Sequence, residues 1–388
     1  MTTTKKLKVY VIAGEPSGDL LGSRLMRALR QKTNGNVEFF GLGGDTMEHE
    51  GLKSIFDISE LSVMGIIEVI PSIPRVLRRI KQTVDDIEAK RPDVVITIDS
   101  WSFCSRVHQA LRKRNLGIKQ VHYVAPQVWA WKKRRAKTMY KYVDLLLTLL
   151  PNEPKYFTKH HLETIFVGHP VVESAALTAE GSAFRKKFDI DEAKQVITIL
   201  PGSRHTEVSR LLPDFLAAAH LLQEQNPDIV FALPTVKTVA KRVKSMVKDT
   251  DLPLVILDNE ADRYSAFQAS SAAIAASGTV ALELAICKIP HIIAYKVSPL
   301  TYLIASHLVH IKYVNLTNIL LKRGVVPELL QHKCTPENIV HEIHELLKNG
   351  KAYDKQMTGF EEVKAYLTTG TQTPSENAAD AILKAISC

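Results

Sequence analysis

The segment Val196–Arg204 restricts the possible folds more than any other part of the chain. It reads Val-Ile-Thr-Ile-Leu-Pro-Gly-Ser-Arg, an apolar run that ends in a Pro-Gly turn. Such a run is typical of a parallel strand buried on both faces, and Ser203 and Arg204 then stand where a helix should begin. The first turn of a helix offers unpaired N–H groups and the positive end of the helix dipole. The segment therefore predicts an anion site that needs no metal.

A second strand-to-helix turn of the same kind follows later in the chain. Residues 272–276 are apolar and run into Ser277, Gly278 and Thr279, after which an apolar helix carries Glu283. Two such turns, one with arginine and one with Ser-Gly-Thr, predict a cradle for a nucleotide diphosphate. Neither is a Walker loop or a Gly-x-Gly-x-x-Gly fingerprint. Ordinary strand-to-helix turns of an α/β fold therefore stay open as the alternative.

Strand and helix patterns alternate along both halves of the chain, which favours parallel sheets with right-handed crossovers. The predicted strands are 7–13, 37–41, 93–98, 118–124, 144–149, 163–167, 195–200, 228–233, 253–257, 271–276 and 290–294. The predicted helices are 18–32, 73–89, 103–114, 128–142, 206–224, 236–247, 261–268 and 279–286, and then 335–348, 352–367 and 375–387 in the tail.

This pattern predicts an α/β protein with two Rossmann-like, doubly wound domains that face a cleft. We place the N-terminal domain at 1–172, the C-terminal domain at 173–350 and a helical tail at 351–388. We expect the tail to pack on the N-terminal domain of its own chain or of a partner, which leaves a homodimer possible. In open parallel sheets, ligands bind beyond the carboxyl ends of the strands, where the unusual residues of this chain fall.

Composition narrows the class of protein and its partners. The chain has 388 residues, 45% hydrophobic and 23% charged, with a formal net charge of +9. This excess of positive charge suits nucleic acid, an anionic membrane surface or a phosphorylated substrate. Four scattered cysteines without a Cys-x-x-Cys pair indicate reduced thiols in a cytosolic protein. No apolar run reaches the roughly 18 residues that a spanning helix needs, so we expect contact with a membrane surface at most.

Two polar segments of the first half follow predicted strands directly. Gly14–Asp19, which contains Glu15 and Ser17, follows the first strand, and Asp99 ends the strand 93–98. A general base must be held rigidly, and the end of a strand does this. Asp99 is therefore a candidate general base, and we expect Glu15, at the end of the first strand, to point into the cleft. Capping of the following helices is the alternative for both segments, with Ser17 or Asp19 as the cap of the first helix.

Two further segments predict an apolar, basic lip. Residues 61–77 are rich in apolar side chains and end in a basic cluster, a combination that suits acyl chains and anionic headgroups. An ordinary amphipathic helix is the alternative. Two tryptophans two residues apart cannot share one helical face, so at least one should line the ligand site. The residues assigned to this acceptor and membrane side are Met64, Ile66, Ile67, Ile70, Arg78, Arg79, Trp129 and Trp131.

The sequence lacks convincing metal or nucleophile motifs. Asp189-Ile-Asp191 and Asp249-Thr-Asp251 lie in charged stretches away from strand ends, so we interpret both as solvated loops. None of the fourteen histidines has a metal-binding spacing, and Gly-x-Ser-x-Gly is absent. We expect no metal and no cofactor.

Taken together, the motifs resemble the lipid-A-disaccharide synthase family, which consists of inverting glycosyltransferases with two Rossmann-like domains (the GT-B type). The resemblance covers nearly the whole chain in order. The matching stretches are Gly14–Asp19, Gly41–Gly44, Met64–Gly65, Ile98–Asp99, Tyr123–Trp131, Val167–Pro170, Leu200–Arg204, Ala276–Thr279, Glu283 and Val326–Gln331.

The resemblance implies a transfer between two acylated glucosamines. The donor would be UDP-2,3-diacylglucosamine and the acceptor 2,3-diacylglucosamine 1-phosphate, giving the β(1→6) disaccharide of lipid A biosynthesis and UDP. Asp99 would be the general base, with Glu15 and Ser17 beside the reaction centre. The protein would be cytoplasmic and peripheral on the inner membrane. The residues assigned to substrate and UDP are Ser203, Arg204, Ser277, Gly278, Thr279, Glu283, Asn318 and Gln331.

The sequence departs from the family pattern in one functional segment. After the aspartate, the family usually has Pro, an acidic residue or Gly, Phe and Asn, whereas this chain has Ser100-Trp-Ser-Phe-Cys104. A non-hydrolysing UDP-sugar 2-epimerase is the rival enzyme, because it shares the fold and the UDP cradle but needs no apolar lip. A lipid- or RNA-binding module is the non-enzymatic rival. RNA binding is disfavoured because the basic residues are not interleaved with a platform of aromatic residues.

Overall fold

The computed structural model describes residues 6–61, 66–126, 128, 134–298 and 312–387, with backbone only at 66–72 and 134. The chain divides into two units, residues 1–170 with 367–388, and residues 171–366. Each unit is built on one six-stranded sheet, and the strand pairs within both sheets are parallel. The α/β fold class predicted from the alternation is confirmed.

The first unit has a sheet in the order β2-β1-β3-β4-β5-β6. Apolar side chains cover both faces of this sheet, which explains why the sequences of its strands are continuous hydrophobic runs. Its strands are β1 Leu7–Ala13, β2 Val37–Leu42, β3 Val94–Ile98, β4 Lys119–Tyr123, β5 Leu145–Thr148 and β6 Glu163–Phe166. Its helices are α1 Pro16–Lys32, α2 Asp45–His49, α3 Ile66–Lys90, α4 Trp101–Arg114, α5 Arg134–Met139, α6 Lys155–Thr158 and α15 Pro374–Ser387.

The second unit has a sheet in the order β12-β11-β10-β7-β8-β9. Its strands are β7 Gln195–Leu200, β8 Ile229–Pro234, β9 Leu254–Leu257, β10 Ser270–Ala275, β11 His291–Tyr295 and β12 Glu328–Leu330. Its helices are α7 Gly181–Lys187, α8 His205–Gln225, α9 Ala240–Met246, α10 Glu260–Ala269, α11 Thr279–Ile286, α12 Leu316–Leu321, α13 Pro336–Leu347 and α14 Lys351–Leu367.

Both sheets reverse their strand order at one point, and ligands of such sheets bind in the crevice beside that point. In the first unit the order reverses between β1 and β3, where Ala13 pairs with Ile98. In the second unit it reverses between β7 and β10, where Leu200 pairs with Ala275. The segments singled out from the sequence follow these four strands.

The predicted strands are all present, with ends that differ by one residue at most. The three-residue strand β12 and the short helices α2, α6, α7 and α12 were not predicted, because such short segments show no clear periodicity. Helix α3 begins at Ile66, earlier than predicted, and includes Pro71 and Pro74.

The C-terminal tail is divided between the two units instead of forming one element. Helix α14 belongs to the second unit, where the Gln356 amide exchanges two hydrogen bonds with the backbone of His291, both of 2.9 Å. Helix α15 belongs to the first unit and packs along α1, with an ion pair of 2.7 Å between Lys32 and Asp380. The segment predicted as one tail at 351–388 is therefore split, because its last helix packs on α1 of the first unit and the helix before it belongs to the second unit.

Candidate active site

Asp99 lies in a strained connection at the switch point of the first sheet. It follows β3 directly, and only Asp99 and Ser100 separate β3 from α4. Both have left-handed backbone conformations, with φ of 52° and 41°. Such a conformation costs roughly 1–2 kcal/mol for a residue with a side chain, and strain of this kind concentrates at functional sites. Ser100, not Asp99, occupies the N-cap position of α4, so the capping alternative does not describe Asp99.

Glu15 joins Asp99 at this edge of the sheet. It occupies the N-cap position of α1, and its Oε1 accepts a hydrogen bond of 3.2 Å from the Ser100 hydroxyl. Burial, reinforced by the negative charge of Glu15, raises the pKa of Asp99 above the usual aspartate range. Ser17 is exposed in the first turn of α1. The structure thus places Glu15 and Asp99 at the same edge of the sheet, with Ser17 two residues beyond Glu15.

Asp19 has a role that differs from the predicted one. It is buried inside α1 and caps the short helix α2 instead of its own helix. Its carboxylate accepts hydrogen bonds from the backbone N–H groups of Gly44 at 2.8 Å, Thr46 at 2.9 Å and Met47 at 3.1 Å. The Thr46 hydroxyl donates a fourth bond of 2.7 Å. Asp19 therefore links the Gly14–Asp19 motif to the Gly41–Gly44 motif and to the start of α2.

The first predicted phosphate turn, between β7 and α8, is already occupied by a side chain. Glu207 Oε2 accepts the backbone N–H groups of Ser203 at 3.1 Å and Arg204 at 3.2 Å. Its other oxygen pairs with the Arg204 guanidinium at 2.7 Å. Gly202 has a φ of 106° and passes so close to Glu207 that a Cβ atom would lie 2.5 Å from Oε2. The Arg204 side chain is 60% exposed, so a ligand can reach its guanidinium even though it pairs with Glu207. Glutamate three residues after the N-cap is the sequence signal of a capping box, which the anion-site prediction did not take into account.

The second turn, between β10 and α11, is open. Gly278 is the N-cap of α11 and accordingly has no side-chain cap. Its φ of 152° suits only glycine, and a Cβ built on it meets no atom within 4 Å. The two turns are neighbours, because β7 and β10 pair and Ala276 N–H donates to the Leu200 carbonyl at 2.8 Å. An anion would therefore find free N–H groups at α11.

The remaining residues assigned to UDP lie in the second unit at different depths. Glu283 is half-buried in α11 and accepts a hydrogen bond of 3.2 Å from the Ser174 hydroxyl. Asn318 is fully buried, and its amide bonds internally to the backbone of Val325 and Val326 and to Glu328 at 2.7–2.9 Å. Direct contact with a ligand would require these bonds to break. Gln331 is half-buried and, with Asn318, lines a cavity of about 610 Å³.

The predicted lip is described in part. On α3, Ile73 and Leu77 are 46% and 55% exposed, and Arg75 and Arg78 are exposed beside them. Arg79 instead forms an ion pair with Glu60, and its guanidinium lies 4.6 Å from the centre of the Phe56 ring. The backbone of Ile66, Ile67 and Ile70 belongs to α3, whereas their side chains, Met64, Trp129 and Trp131 lie outside the described residues.

In the part of the chain that the structure describes, no group of three or more His, Cys, Asp or Glu side chains is arranged to hold a metal ion. Within the same residues, no helix is both long enough and apolar enough to cross a membrane. Cys104, Cys287 and Cys334 are free thiols.

Solved structures of known proteins share this fold at low sequence identity. UDP-GlcNAc 2-epimerase from Neisseria meningitidis, solved bound to UDP-GlcNAc, has a TM-score of 0.65 at 13% identity, covering 98% of this chain and all of that one (100%). MurG from Acinetobacter baumannii has a TM-score of 0.58 at 16% identity, covering 98% of this chain and 99% of that one. These likenesses show the fold alone.

Sequence relatives are much closer. The lipid-A-disaccharide synthase of Paramagnetospirillum magneticum is 47% identical over 377 residues, which cover 97% of this chain and 96% of that protein. The enzyme of the same name from Pseudomonas putida is 39% identical, covering 97% of this chain and 98% of that protein. The family described as lipid-A-disaccharide synthetase matches residues 9–382. The chain therefore belongs to the lipid-A-disaccharide synthetase family of glycosyltransferases.

Proposed function

We propose that the chain joins UDP-2,3-diacylglucosamine to 2,3-diacylglucosamine 1-phosphate, with Asp99 as the general base. The reaction is a single displacement at the anomeric carbon of the donor, with inversion. The acceptor 6-hydroxyl loses its proton to Asp99 as its oxygen forms the new bond, and UDP leaves with the electrons of the broken bond. The observation that carries this proposal is the carboxylate of Asp99, which stands at a strained strand end and has a raised pKa. A general base works best when its pKa approaches the working pH.

The second unit is suited to hold the donor. Its open helix start at Gly278 and Thr279 can bind the diphosphate through N–H groups, and the exposed Arg204 guanidinium can neutralise the charge that develops on leaving UDP. Glu283, in the second turn of α11, can accept hydrogen bonds from the ribose hydroxyls. These groups provide positive charge without a metal, so we propose that the reaction needs none.

The acyl chains of both substrates suggest where the protein works. We propose that it binds the cytoplasmic face of the inner membrane peripherally, through the exposed face of α3. Ile73 and Leu77 would contact the acyl region, and Arg75 and Arg78 the anionic headgroups. Substrates that reside in the bilayer would then reach the site without crossing water.

Mass spectrometry of the products tests the function directly. The purified chain, mixed with the acylated donor and acceptor, should form the disaccharide 1-phosphate and one UDP for each bond made. A parallel reaction with UDP-GlcNAc alone tests the epimerase alternative, which the shared fold leaves open. Formation of the 2-epimer there, without disaccharide in the first reaction, would overturn the proposal.

A further inference from the structure

A buried polar cluster lies behind Asp99, between the sheet and α4. Thr97 in β3 stands two residues before Asp99, and its hydroxyl oxygen lies 2.8 Å from His108 Nε2 and 2.6 Å from His122 Nδ1. All three residues are fully buried. A hydroxyl can accept and donate at once, so this one atom serves both ring nitrogens. Buried polar groups of this kind are costly when they lose their partners.

The two histidines are held neutral. Burial lowers the pKa of His108 to about 4 and that of His122 well below its usual value. The other ring nitrogen of His108 lies 2.7 Å from the side-chain amide of Gln120, which is also buried. The cluster is therefore a fixed network of neutral groups, and it carries no charge toward Asp99 at neutral pH.

The network holds α4 through one face of the helix. Trp101, Cys104 and His108 are spaced by three and four residues, so they share that face. The Trp101 ring stands edge-on to the His122 ring with centroids 4.7 Å apart. Burial raises the pKa of the Cys104 thiol, and the neighbouring Thr97 hydroxyl acts in the opposite direction. Trp101 and Cys104 belong to the segment in which this chain departs from the usual family pattern.

The position of α4 determines the position of Asp99, because the connection has no slack. Only two residues join β3 to α4, and both already have strained left-handed conformations. A shift of the helix relative to the strand must therefore rotate the Asp99 carboxylate. We propose that Thr97 is a positioning residue for Asp99, which acts by fixing α4 to the sheet through His108 and His122. This inference rests on the proposed role of Asp99 as the base.

The isosteric substitution Thr97→Val tests the proposal, because it removes the hydroxyl without changing the volume of the core. We expect kcat to fall by roughly 10- to 100-fold, as for a displaced catalytic group. The KM values for both substrates and the affinity for UDP should stay within about twofold, since ground-state binding is not affected. Thr97→Ser keeps the hydroxyl and should restore most of kcat.

Thr83→Val is the matched control. Thr83 is also fully buried in the first unit, but its hydroxyl bonds to the Arg79 carbonyl of its own helix α3, at 2.8 Å, and not to the network. It should lower thermal stability while leaving kcat unchanged. A Thr97→Val protein that loses stability but keeps its kcat would overturn the proposal, as would a change confined to KM.

Cys104→Ala provides a milder test if Thr97→Val does not fold. It removes one contact of the network, and we expect kcat to fall several-fold with unchanged KM, whereas an unchanged kcat would overturn the proposal. The wild-type reaction separates this inference from the proposed function. An inactive wild-type chain contradicts the proposed function, whereas an active wild type with an equally active Thr97→Val variant contradicts only the positioning role.

Discussion

Asp99 illustrates how the surroundings of one carboxylate raise its pKa. Burial removes water from its charged form, and the nearby negative charge of Glu15 further disfavours ionisation, so the pKa of Asp99 rises. The left-handed turn holds the side chain at the end of a buried strand. The charge effect comes from a residue that is distant in sequence, because Glu15 follows β1 and Asp99 follows β3.

Asp99→Asn should reduce turnover by about 100-fold or more, the usual scale for loss of a general base. UDP affinity, measured by calorimetry, should not change, because the residues proposed for UDP belong to the other unit. Asp249→Asn, in an exposed loop, is the control and should have no effect. Full turnover of Asp99→Asn at saturating substrate would remove Asp99 from the mechanism.

The raised pKa of Asp99 also predicts a pH dependence. The base works deprotonated, so kcat should fall as pH falls through a pKa above the ordinary aspartate value of 3.8. Glu15→Gln removes the second cause of the shift and should move this acid limb to lower pH, while burial keeps it above the ordinary value. The measurement is a pH–rate profile of both proteins at saturating substrate. An acid limb that does not move would show that Glu15 does not act on Asp99 electrostatically.

At the scale of the elements, the two helix starts of the second unit differ although their sequences look alike. Glu207 accepts the N–H groups of Ser203 and Arg204 just before α8, whereas no side chain caps the start of α11 at Gly278. A diphosphate should therefore bind at α11 and draw on α8 only through the Arg204 side chain.

Arg204→Ala should weaken UDP binding by about 1.5–3 kcal/mol, the range for a charge-assisted hydrogen bond. Titration calorimetry measures this loss, and Arg242→Ala, another exposed arginine of the second unit, serves as the control. EDTA should leave the turnover of the wild type unchanged. Strict dependence on Mg²⁺ or Mn²⁺ would contradict the proposal that these groups replace a metal.

Asp19 joins α1 to the start of α2, so its contribution should appear as stability. Asp19→Asn keeps the size of the side chain but leaves fewer acceptors for the four donors. We expect the free energy of unfolding in urea to fall by roughly 1–3 kcal/mol. Asp45→Asn, an exposed carboxylate at the first position of α2, should cost much less. Equal losses in the two variants would indicate that helix-dipole effects dominate.

At the scale of the whole molecule, the net charge of +9 and the exposed apolar residues of α3 favour a negatively charged membrane surface. The double variant Ile73→Ser/Leu77→Ser should reduce co-sedimentation with vesicles that contain anionic lipid. The remaining binding should be salt-sensitive, because screening acts on the charges and not on the apolar contact.

Val236→Ser/Tyr366→Ser is the matched control for this experiment. Both residues are exposed apolar side chains of the second unit, at 38% and 52%. The control should sediment like the wild type. If the α3 variant also does so, membrane contact is made elsewhere in the chain.

The sequence was sufficient to predict the strands, the strand-to-helix turns and the family. Buried parallel strands are continuous apolar runs, so Leu7–Ala13 and Gln195–Leu200 could be located from local pattern alone. The residues after these strands are consequently predictable too. Asp99, Glu15 and Gly278 are therefore recognisable from the sequence as candidate site residues.

Only the tertiary structure decided which partners these side chains have. Asp19 caps a helix formed by later residues, and the Asn318 amide forms its hydrogen bonds within its own unit. Helices α14 and α15 pack on different units. A sequence pattern reports whether a side chain is buried or exposed along its own element, since that depends on periodicity. It does not report which donor meets which acceptor, because hydrogen bonds depend on distances of about 3 Å between elements far apart in the chain.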